Sequence, residues 1–572
     1  MRLLFKIIFI IFISSLLFVI TFFILKEVFY SNSIIIPYSL KPFDICLKYP
    51  DLWNLIKKLH ILTSIISYLI ISNYLFNVFL SKKFIDKKLF NKRSKALNVG
   101  NLNLFIGTDT NDNKIFIPEK SLYQNIFITG TIGTGKTSSA MYPFTEQLIK
   151  NKNKIGILIL DVKGNYYDQV IKYCKKYKRE NDIIEISINN NLKYNPLHKP
   201  DISPVVLANR LKTILLLFSK NNSDSYWLDI AEETIANAIK LCRIYNNGYV
   251  TFKEINNLIF SSNYYKSKIP YLRNLFISGK LSDSKIFDLY SSLEFFNNEF
   301  FKLDNRTLSI IKSEIGRITN TFTSEYKISK TFCPQQNEIN FFGFKEVIQK
   351  GKIVILNMNI AEYRNLSKII AAYLKLDFQT EVLSSLKNPL SIKTTSFICD
   401  EYHEYVTLND ADFFSQCREA KCINIVSTQS YTSLYHSLHN PYSAKVIIQS
   451  LVNKLWFRTD DIFTIEEIQK QIGKEEKIKI SSTISENSRE TNYDYLSKKL
   501  KSKHSNISES VNKYTQKDYI YDTNYFTQEL ETFSCIAFLS DGKKILPPKK
   551  IKLSPYFIQK NNIKGLWLLE KK

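Results

Sequence analysis

The stretch from Gly130 to Thr137 reads GTIGTGKT and constrains the fold of this chain more than any other segment. It is a complete G-x-x-x-x-G-K-[ST] sequence between an apolar run at 125–129 and a helix-compatible run, which predicts a strand, a phosphate-binding loop and a helix. The glycines let successive backbone N–H groups point at one phosphate chain, while Lys136 reaches the outer phosphates and the Thr137 hydroxyl binds Mg²⁺. Three of the 15 glycines in the chain lie in this octet, which argues against a turn that binds nothing.

This loop predicts a site for ATP and Mg²⁺ in an α/β fold. Lys136 is also assigned to catalysis, through its contact with the outer phosphates. The predicted nucleotide contacts are Gly130, Thr131, Ile132, Gly133, Thr134, Gly135, Lys136, Thr137 and Ser138.

Length and composition indicate a large globular protein. Its 572 residues suffice for two or three domains, and 45% apolar residues exclude a disordered chain. The net charge of +25 has two interpretations that stay open, a codon bias toward Lys, Asn and Ile, or an anionic partner such as DNA or a lipid surface. The eight cysteines include no C-x-x-C pair, which excludes a disulfide framework and a zinc cluster and suits a reducing compartment.

Two apolar segments predict a transmembrane anchor formed by residues 1–81. The first, 7–25, is long enough to span a bilayer core of about 30 Å, whereas a cleaved signal peptide would have a shorter apolar region ending at small residues. The second, 59–80, contains a few polar residues and precedes a Lys- and Arg-rich cluster at 82–95 that should stay cytoplasmic. We therefore expect a two-pass protein of the cell membrane, with residues 26–58 outside. Both termini and the body of the protein, from about residue 82 onward, would lie inside.

The body predicts a doubly wound α/β sheet with a helical insertion. Continuous apolar runs, typical of strands buried on both faces, alternate with helical stretches. The runs are 125–129, 155–161, 352–359, 395–399, 423–428, 454–459 and 536–540. Helical periodicity dominates at 201–340, so we expect an all-α domain there, inserted into a nucleotide-binding domain formed by 82–200 and 341–572. The polar segment 481–513 is expected to form an exposed loop or a floppy hairpin.

Two acidic residues, Asp400 and Glu401, follow the apolar run that ends at Cys399. A strand that ends there would present both carboxylates at the edge of the sheet where ligands bind. Asp400 would hold Mg²⁺ together with Thr137, and Glu401 would polarise the attacking water. Such a pair alone is a common solvated strand end, but a P-loop in the same body favours catalysis.

Two further polar residues complete the predicted catalytic set. Gln429 follows the run 423–428 and can contact both the water and the γ-phosphate. Arg418 lies between the two runs and can reach the γ-phosphate of a neighbouring subunit as an arginine finger. The alternative for Arg418 is a surface salt bridge with Glu419 or Glu404.

With these features together, the chain resembles the conjugative coupling proteins of type IV secretion, the TraG/TraD type, within the FtsK/HerA group of RecA-like motor ATPases. The segment ILILDVKG at 157–164 is similar to the D-P-K-G-E segment of that family, with Val162 in place of its proline and Asn165 in place of its glutamate. YNPL at 194–197 is similar to the family's turn before its all-α domain, and 344–357 to its return into the sheet.

The resemblance implies a membrane-anchored ring, a homo-hexamer at the cytoplasmic mouth of a secretion channel, with ATP bound between subunits. Such a ring would recruit a relaxase–DNA or protein substrate and use ATP hydrolysis to drive single-stranded DNA through the channel. The helical insertion would contact the substrate. The resemblance also implies catalytic roles for Glu401, Lys136, Arg418 and Gln429.

Two alternatives stay open. One is a double-stranded DNA translocase of the FtsK type, against which the two-span anchor and the helical insertion argue. The other is a receptor that docks substrates without hydrolysing ATP, against which the intact catalytic set argues. An ABC-type ATPase would need an L-S-G-G-Q-like signature, and the sequence contains none.

Overall fold

The computed structural model describes residues 15, 18–20, 50–80, 102–217, 225–487, 493–494, 499–500 and 506–557. The chain forms two compact units, Met1–Asn101 and Leu102–Lys572, which are described separately below. The cysteines within the described residues are all free.

The main described element of the first unit is helix α1, Pro50–Leu80. A proline at the first helical position and Asp51 in the first turn favour a helix start here, so residues 50–58 are helical and extend the predicted second span toward the N-terminus. Over the described residues, no helix combines the length and the apolar content that crossing a membrane requires. The predicted first span, 7–25, lies outside the described residues except for 15 and 18–20, as do residues 26–49 of the predicted outer loop.

The second unit is built on β-strands. In chain order these are β1 Asn103–Asp109, β2 Lys114–Pro118, β3 Ile126–Thr129, β4 Gly156–Leu160, β5 Ile183–Ile186, β6 Ile353–Leu356, β7 Thr395–Cys399, β8 Cys422–Thr428, β9 Asn453–Phe457, β10 Lys474–Asn487, β11 Tyr493–Asp494, β12 Lys499–Leu500, β13 Asn506–Tyr519, β14 Ser534–Phe538 and β15 Lys549–Lys552. Eleven of them form one sheet in the order β2-β1-β15-β14-β9-β3-β8-β7-β4-β6-β5. The strands from β9 to β5 in this order are parallel, and β14, β15, β1 and β2 extend the sheet antiparallel.

The predicted α/β class and the seven predicted strands are confirmed, because each apolar run occupies a buried strand of this sheet. Residues alternate between two cores, one on each face. In β3, Phe127 packs into one core while Ile126 and Ile128 pack into the other. Coverage of both faces explains why these strands read as continuous apolar runs.

Helices cover the sheet and also fill the region between β5 and β6. After α1 they are α2 Glu119–Leu122, α3 Tyr142–Ile149, α4 Tyr166–Lys176, α5 Pro204–Leu216, α6 Ser225–Tyr245, α7 Phe252–Phe260, α8 Ser262–Ile277, α9 Asp283–Glu294, α10 Asn305–Thr323, α11 Tyr326–Phe332, α12 Phe344–Lys350, α13 Ile360–Ser384, α14 Asp410–Gln416, α15 Tyr431–Leu438, α16 Pro441–Ser450 and α17 Ile462–Ile472. Within the described part of 187–352 no strand occurs, and α5 to α11 follow one another. The domain boundaries at 200 and 340 stay predictions.

The two ends of the segment predicted as an exposed loop or floppy hairpin, 481–487 and 506–513, lie in a pair of long antiparallel strands. Strands β10 and β13 pair antiparallel without interruption from Lys474 opposite Tyr519 to Asn487 opposite Asn506. Backbone hydrogen bonds between two strands need no apolar periodicity. The polar composition of 481–513 therefore did not indicate that paired strands extend from 474 to 519.

Candidate functional site

The predicted site residues gather at the carboxyl edge of the parallel strands. In β3, Thr129 lies opposite Thr428 of β8, and β7 on the far side of β8 ends one residue before Asp400. The P-loop, the acidic pair and Gln429 therefore leave the sheet at neighbouring points of one edge. This is the edge where open α/β sheets bind ligands.

The P-loop connects β3 to a short π-helical turn, Lys136–Met141, which continues into α3. Gly135 has φ +93°, and a Cβ at this position would lie 2.3 Å from the Phe533 ring, so only glycine fits without strain. The Lys136 ammonium is buried within the loop and donates hydrogen bonds to the carbonyl oxygens of Gly130 and Thr131, the latter at 3.0 Å. Burial lowers the pKa of Lys136, and the nearby Glu401 and Asp400 carboxylates oppose that shift.

The predicted Mg²⁺ ligands are in contact. The Thr137 hydroxyl donates to Asp400 Oδ2 at 2.8 Å, and the Ser427 hydroxyl and the Glu401 backbone N–H donate to Asp400 Oδ1. A hydroxyl and a carboxylate are the oxygen ligands that Mg²⁺ prefers when phosphate and water complete its shell. Among the described residues, no group of three or more His, Cys, Asp or Glu side chains could hold a metal. Sequence reasoning missed Ser427, whose only signal was a polar residue inside an apolar strand.

Glu401 occupies a strained and buried position. Its backbone has φ +50° and ψ +50°, a left-handed conformation that non-glycine residues rarely adopt and that clusters at functional sites. The side chain is nearly buried, and Oε2 has no hydrogen-bond partner among the described residues. Burial and then repulsion from Asp400 raise the pKa of Glu401, while Lys136, Lys163 and a hydrogen bond from Gln429 oppose the shift.

His403 is a second residue that the sequence analysis missed. Its Nδ1 lies 3.7 Å from Glu401 Oε2 and 3.1 Å from the Thr428 hydroxyl. Burial lowers the pKa of His403, which favours a neutral ring beside the glutamate. A single histidine in a polar turn carries no distinctive sequence signal.

A third carboxylate, Asp161, lies near the acidic pair at the end of β4. Its oxygens accept hydrogen bonds from the backbone N–H groups of Lys163 and Tyr166, both at 3.2 Å, so it stabilises the start of α4. Burial and the proximity of Asp400 raise the pKa of Asp161. The D-V-K-G segment thus supplies a structural carboxylate, and the side chain of Lys163 is exposed beside it.

Arg418 does not join this site within its own chain. It lies in the turn before β8, at the amino edge of the sheet, about 20 Å along the strand from Gln429. Its side chain is exposed, and within the described residues it forms no ion pair, whereas Glu404 pairs with Lys368. The alternative for Arg418, a surface salt bridge with Glu419 or Glu404, is not seen among the described contacts, and a role in a neighbouring subunit stays a prediction.

Comparison with known proteins gives one type of match. No family model matches the sequence, and no curated protein matches it. Among solved structures, the chain is similar to the bacterial conjugative coupling protein TrwBdeltaN70 in its unbound monoclinic form, with a TM-score of 0.53 and 12% identity over 81% of this chain and 91% of that chain. It is also similar to plasmid coupling protein TrwB in complex with the ATP analogue ADPNP (TM-score 0.52, 12% identity, 81% and 92% covered) and with ADP and Mg²⁺ (TM-score 0.51, 12% identity, 77% and 87% covered). The chain therefore has the fold of a conjugative coupling protein, which confirms the resemblance at the level of the fold.

Proposed function

We propose that this chain is an ATPase that binds ATP and Mg²⁺ at the P-loop edge of its sheet. The observation that carries the proposal is the contact between Thr137 and Asp400, with the buried Lys136 and Glu401 on either side of it. TrwB supports it, because structures of that protein with the same fold include complexes with ADP and Mg²⁺ and with ADPNP.

Each side chain of the site would have its own role in ATP hydrolysis. Bound Mg²⁺ would neutralise charge on the phosphate oxygens, and Thr137 and Asp400 are placed to hold it. Lys136 contacts the outer phosphates. Glu401 orients the attacking water and accepts its proton through Oε2, which has no hydrogen-bond partner among the described residues. Gln429 lies beside Glu401 and would contact the same water.

We further propose that ATP hydrolysis drives single-stranded DNA, with its relaxase, through a type IV secretion channel. The coupling-protein fold supports this assignment. The net charge of +25 also suits binding to DNA phosphates, a type of contact that does not depend on the base sequence. The active form would be a homo-hexamer in which Arg418 of one subunit reaches the ATP of its neighbour. The position of Arg418 at the edge opposite its own P-loop supports a role in trans.

The membrane location is proposed from the apolar segment 7–25, the apolar residues of α1 and the basic cluster at 82–95. In the described part of α1, side chains such as Ile61, Leu62 and Leu69 are exposed, as lipid-facing residues would be. In this topology Cys46 lies outside the membrane. A membrane-impermeant thiol reagent should label wild-type protein in intact cells and fail to label Cys46→Ser, and equal labelling of both would contradict the topology.

The ATPase activity of the full-length protein in lipid, with and without single-stranded DNA, tests the motor function. We expect DNA to stimulate hydrolysis and Glu401→Gln to retain ATP binding but lose turnover by a factor of about 100 or more. Lys136→Ala serves as the control that loses binding as well. Stimulation by duplex DNA only would favour a double-stranded DNA translocase, and ATP binding without turnover under all conditions would favour a docking receptor.

A further inference from the structure

Three aromatic residues from the C-terminal part of the sheet lie beside the P-loop. Because β14 and β15 run antiparallel to each other and to the neighbouring strands, the start of β14 and the end of β15 both lie at the carboxyl edge of β9. Phe533 immediately precedes β14, and Tyr556 and Phe557 follow β15. None of the three belongs to the phosphate-binding or catalytic set.

Backbone hydrogen bonds join this segment to the P-loop. The Phe533 N–H donates to the Thr134 carbonyl at 3.1 Å, and the Tyr556 N–H donates to the Ser138 carbonyl at 2.9 Å. The Phe533 carbonyl accepts from the Leu553 N–H at 2.8 Å, which connects the two aromatic segments to each other. Phe533 has φ +64°, so the chain adopts an unfavourable conformation in order to place its ring against Gly135.

The rings form a surface that remains partly open to solvent. The centroid of Phe557 lies 6.0 Å from that of Phe533 and 5.5 Å from that of Tyr556, and Tyr556 makes an edge contact with Tyr142 of α3 at 5.2 Å. Phe557 is 58% exposed and Tyr556 is 42% exposed, whereas Phe533 is partly buried beneath them. Rings held in position by neighbouring rings and backbone hydrogen bonds, yet exposed at the ligand edge of a sheet, are suited to contact a flat ligand.

We propose that Tyr556 and Phe557 form the subsite for the base of the bound nucleotide. Phosphates held by the P-loop reach Ser138 at its end, and the sugar and base extend outward from there, toward the segment hydrogen-bonded to Ser138. The base stacks on the exposed ring of Phe557, with Tyr556 as the side wall. This inference rests on the proposed nucleotide site and adds the recognition of its base.

Stacking on an aromatic ring distinguishes poorly between bases, since every base has a π face. The proposed subsite is formed by the rings of Tyr556 and Phe557, so it should accept adenine and guanine alike. We therefore expect ATP and GTP to bind with affinities within about threefold of each other, a difference smaller than one hydrogen bond would produce.

The test compares ligands with and without a base. Dissociation constants of ATP, GTP and inorganic tripolyphosphate are measured for the full-length wild type, Phe557→Ala and Phe557→Trp. We expect Phe557→Ala to weaken ATP and GTP about tenfold, as the loss of one stacking contact predicts, to leave tripolyphosphate unchanged, and Phe557→Trp to restore binding. Phe287→Ala, which removes another exposed phenylalanine (72% exposed) from α9, is the matched control and should change none of them.

Each result has a definite meaning. Unchanged ATP affinity in both Phe557→Ala and the Tyr556→Ala/Phe557→Ala double variant overturns the base subsite while the ATPase proposal stands. A parallel loss of tripolyphosphate affinity also overturns it, since it shows that the rings only support the P-loop. Failure of the wild type to bind either ATP or tripolyphosphate contradicts the nucleotide site itself.

Discussion

The hydroxyl of Tyr402 donates a hydrogen bond to the fully buried carboxylate of Asp410 and so fixes the residue that follows Glu401. The carboxylate is held in turn by Lys375 of α13, whose ammonium donates to Asp410 Oδ2 at 2.6 Å and to the Tyr405 carbonyl at 2.6 Å. The short turn after Glu401 is therefore connected to the centre of a long helix by a buried network. This network stabilises the left-handed backbone of Glu401.

We expect Tyr402→Phe to lower kcat by about tenfold or more with little change in KM, because Glu401 loses its fixed position relative to the water. Tyr373→Phe is the matched control, since it removes the hydroxyl of another buried tyrosine, which donates to the Pro196 carbonyl at 2.6 Å. Both variants should lose about 1–3 kcal/mol of stability by urea unfolding. An equal fall of kcat in Tyr402→Phe and Tyr373→Phe would show that Tyr402 has only a general structural role.

Arg418→Ala should inactivate the assembled protein while leaving ATP binding intact, because Arg418 lies at the edge of the sheet opposite its own P-loop. Mixing Arg418→Ala with Lys136→Ala should restore part of the ATPase activity, since some mixed interfaces pair an intact P-loop with an intact arginine. Glu419→Ala, a neighbouring exposed change, is the control for surface effects. No recovery of activity on mixing would remove the support for a role in trans.

The sequence predicted six of the seven parallel strands, the antiparallel strand β14 and most of the site, because continuous apolar runs and the P-loop are local signals. The other strands of the sheet, β1, β2, β5 and β15, were missed for equally local reasons. Residues 549–552 contain three lysines and no continuous apolar run, yet they form β15, where Ile551 is buried and the lysines are exposed or half-buried. Its alternation is too short to recognise without the partner strands β14 and β1.

The parts of the site that sequence reasoning could not find depend on tertiary contacts. Ser427 and His403 become site residues only because β7 and β8 are neighbours. Phe533 and Tyr556 reach the P-loop only through the antiparallel pairing of β14 with β15. The same holds for Arg418, whose distance from the P-loop follows from strand direction and not from its spacing in the chain.

A second buried charge cluster connects α13 to the helical region. Asp377 accepts from Lys199 at 2.8 Å, from Arg210 at 2.9 Å and from the Tyr194 hydroxyl at 3.1 Å. Burial alone would raise the pKa of Asp377, but the two cations outweigh it and lower the pKa below its ordinary value. We expect Asp377→Ala to cost about 3–5 kcal/mol in urea unfolding, since two buried cations would lose their partner.

Asp229→Ala provides the comparison for Asp377→Ala. It removes a carboxylate that pairs with Lys212 on the surface, where an ion pair contributes about 1 kcal/mol or less. Similar losses in the two variants would mean that the Asp377 cluster is no more important than a surface pair.

Lys454 of β9 is a buried lysine without an ion-pair partner among the described residues. It is 3% exposed, and the residues opposite it on the adjacent strands are Phe127 and Phe538. Burial lowers its pKa to about 8 from an ordinary value of 10.5. Holding the charged form in this position destabilises the fold by about 3 kcal/mol below pH 8, at 1.36 kcal/mol per pKa unit.

We therefore expect Lys454→Met to raise the free energy of unfolding at pH 7, by about 1–3 kcal/mol after loss of side-chain fit is allowed for. Between pH 8 and 10.5 the unfolded wild type binds more protons at this lysine than the folded protein does, so wild-type stability gains from this group as the pH rises. The advantage of Lys454→Met should consequently shrink across that window. Urea unfolding of both proteins at pH 7, 8, 9 and 10 measures it, with the exposed Lys152→Met as control. A difference that stays constant with pH would show that folding does not lower the pKa of Lys454.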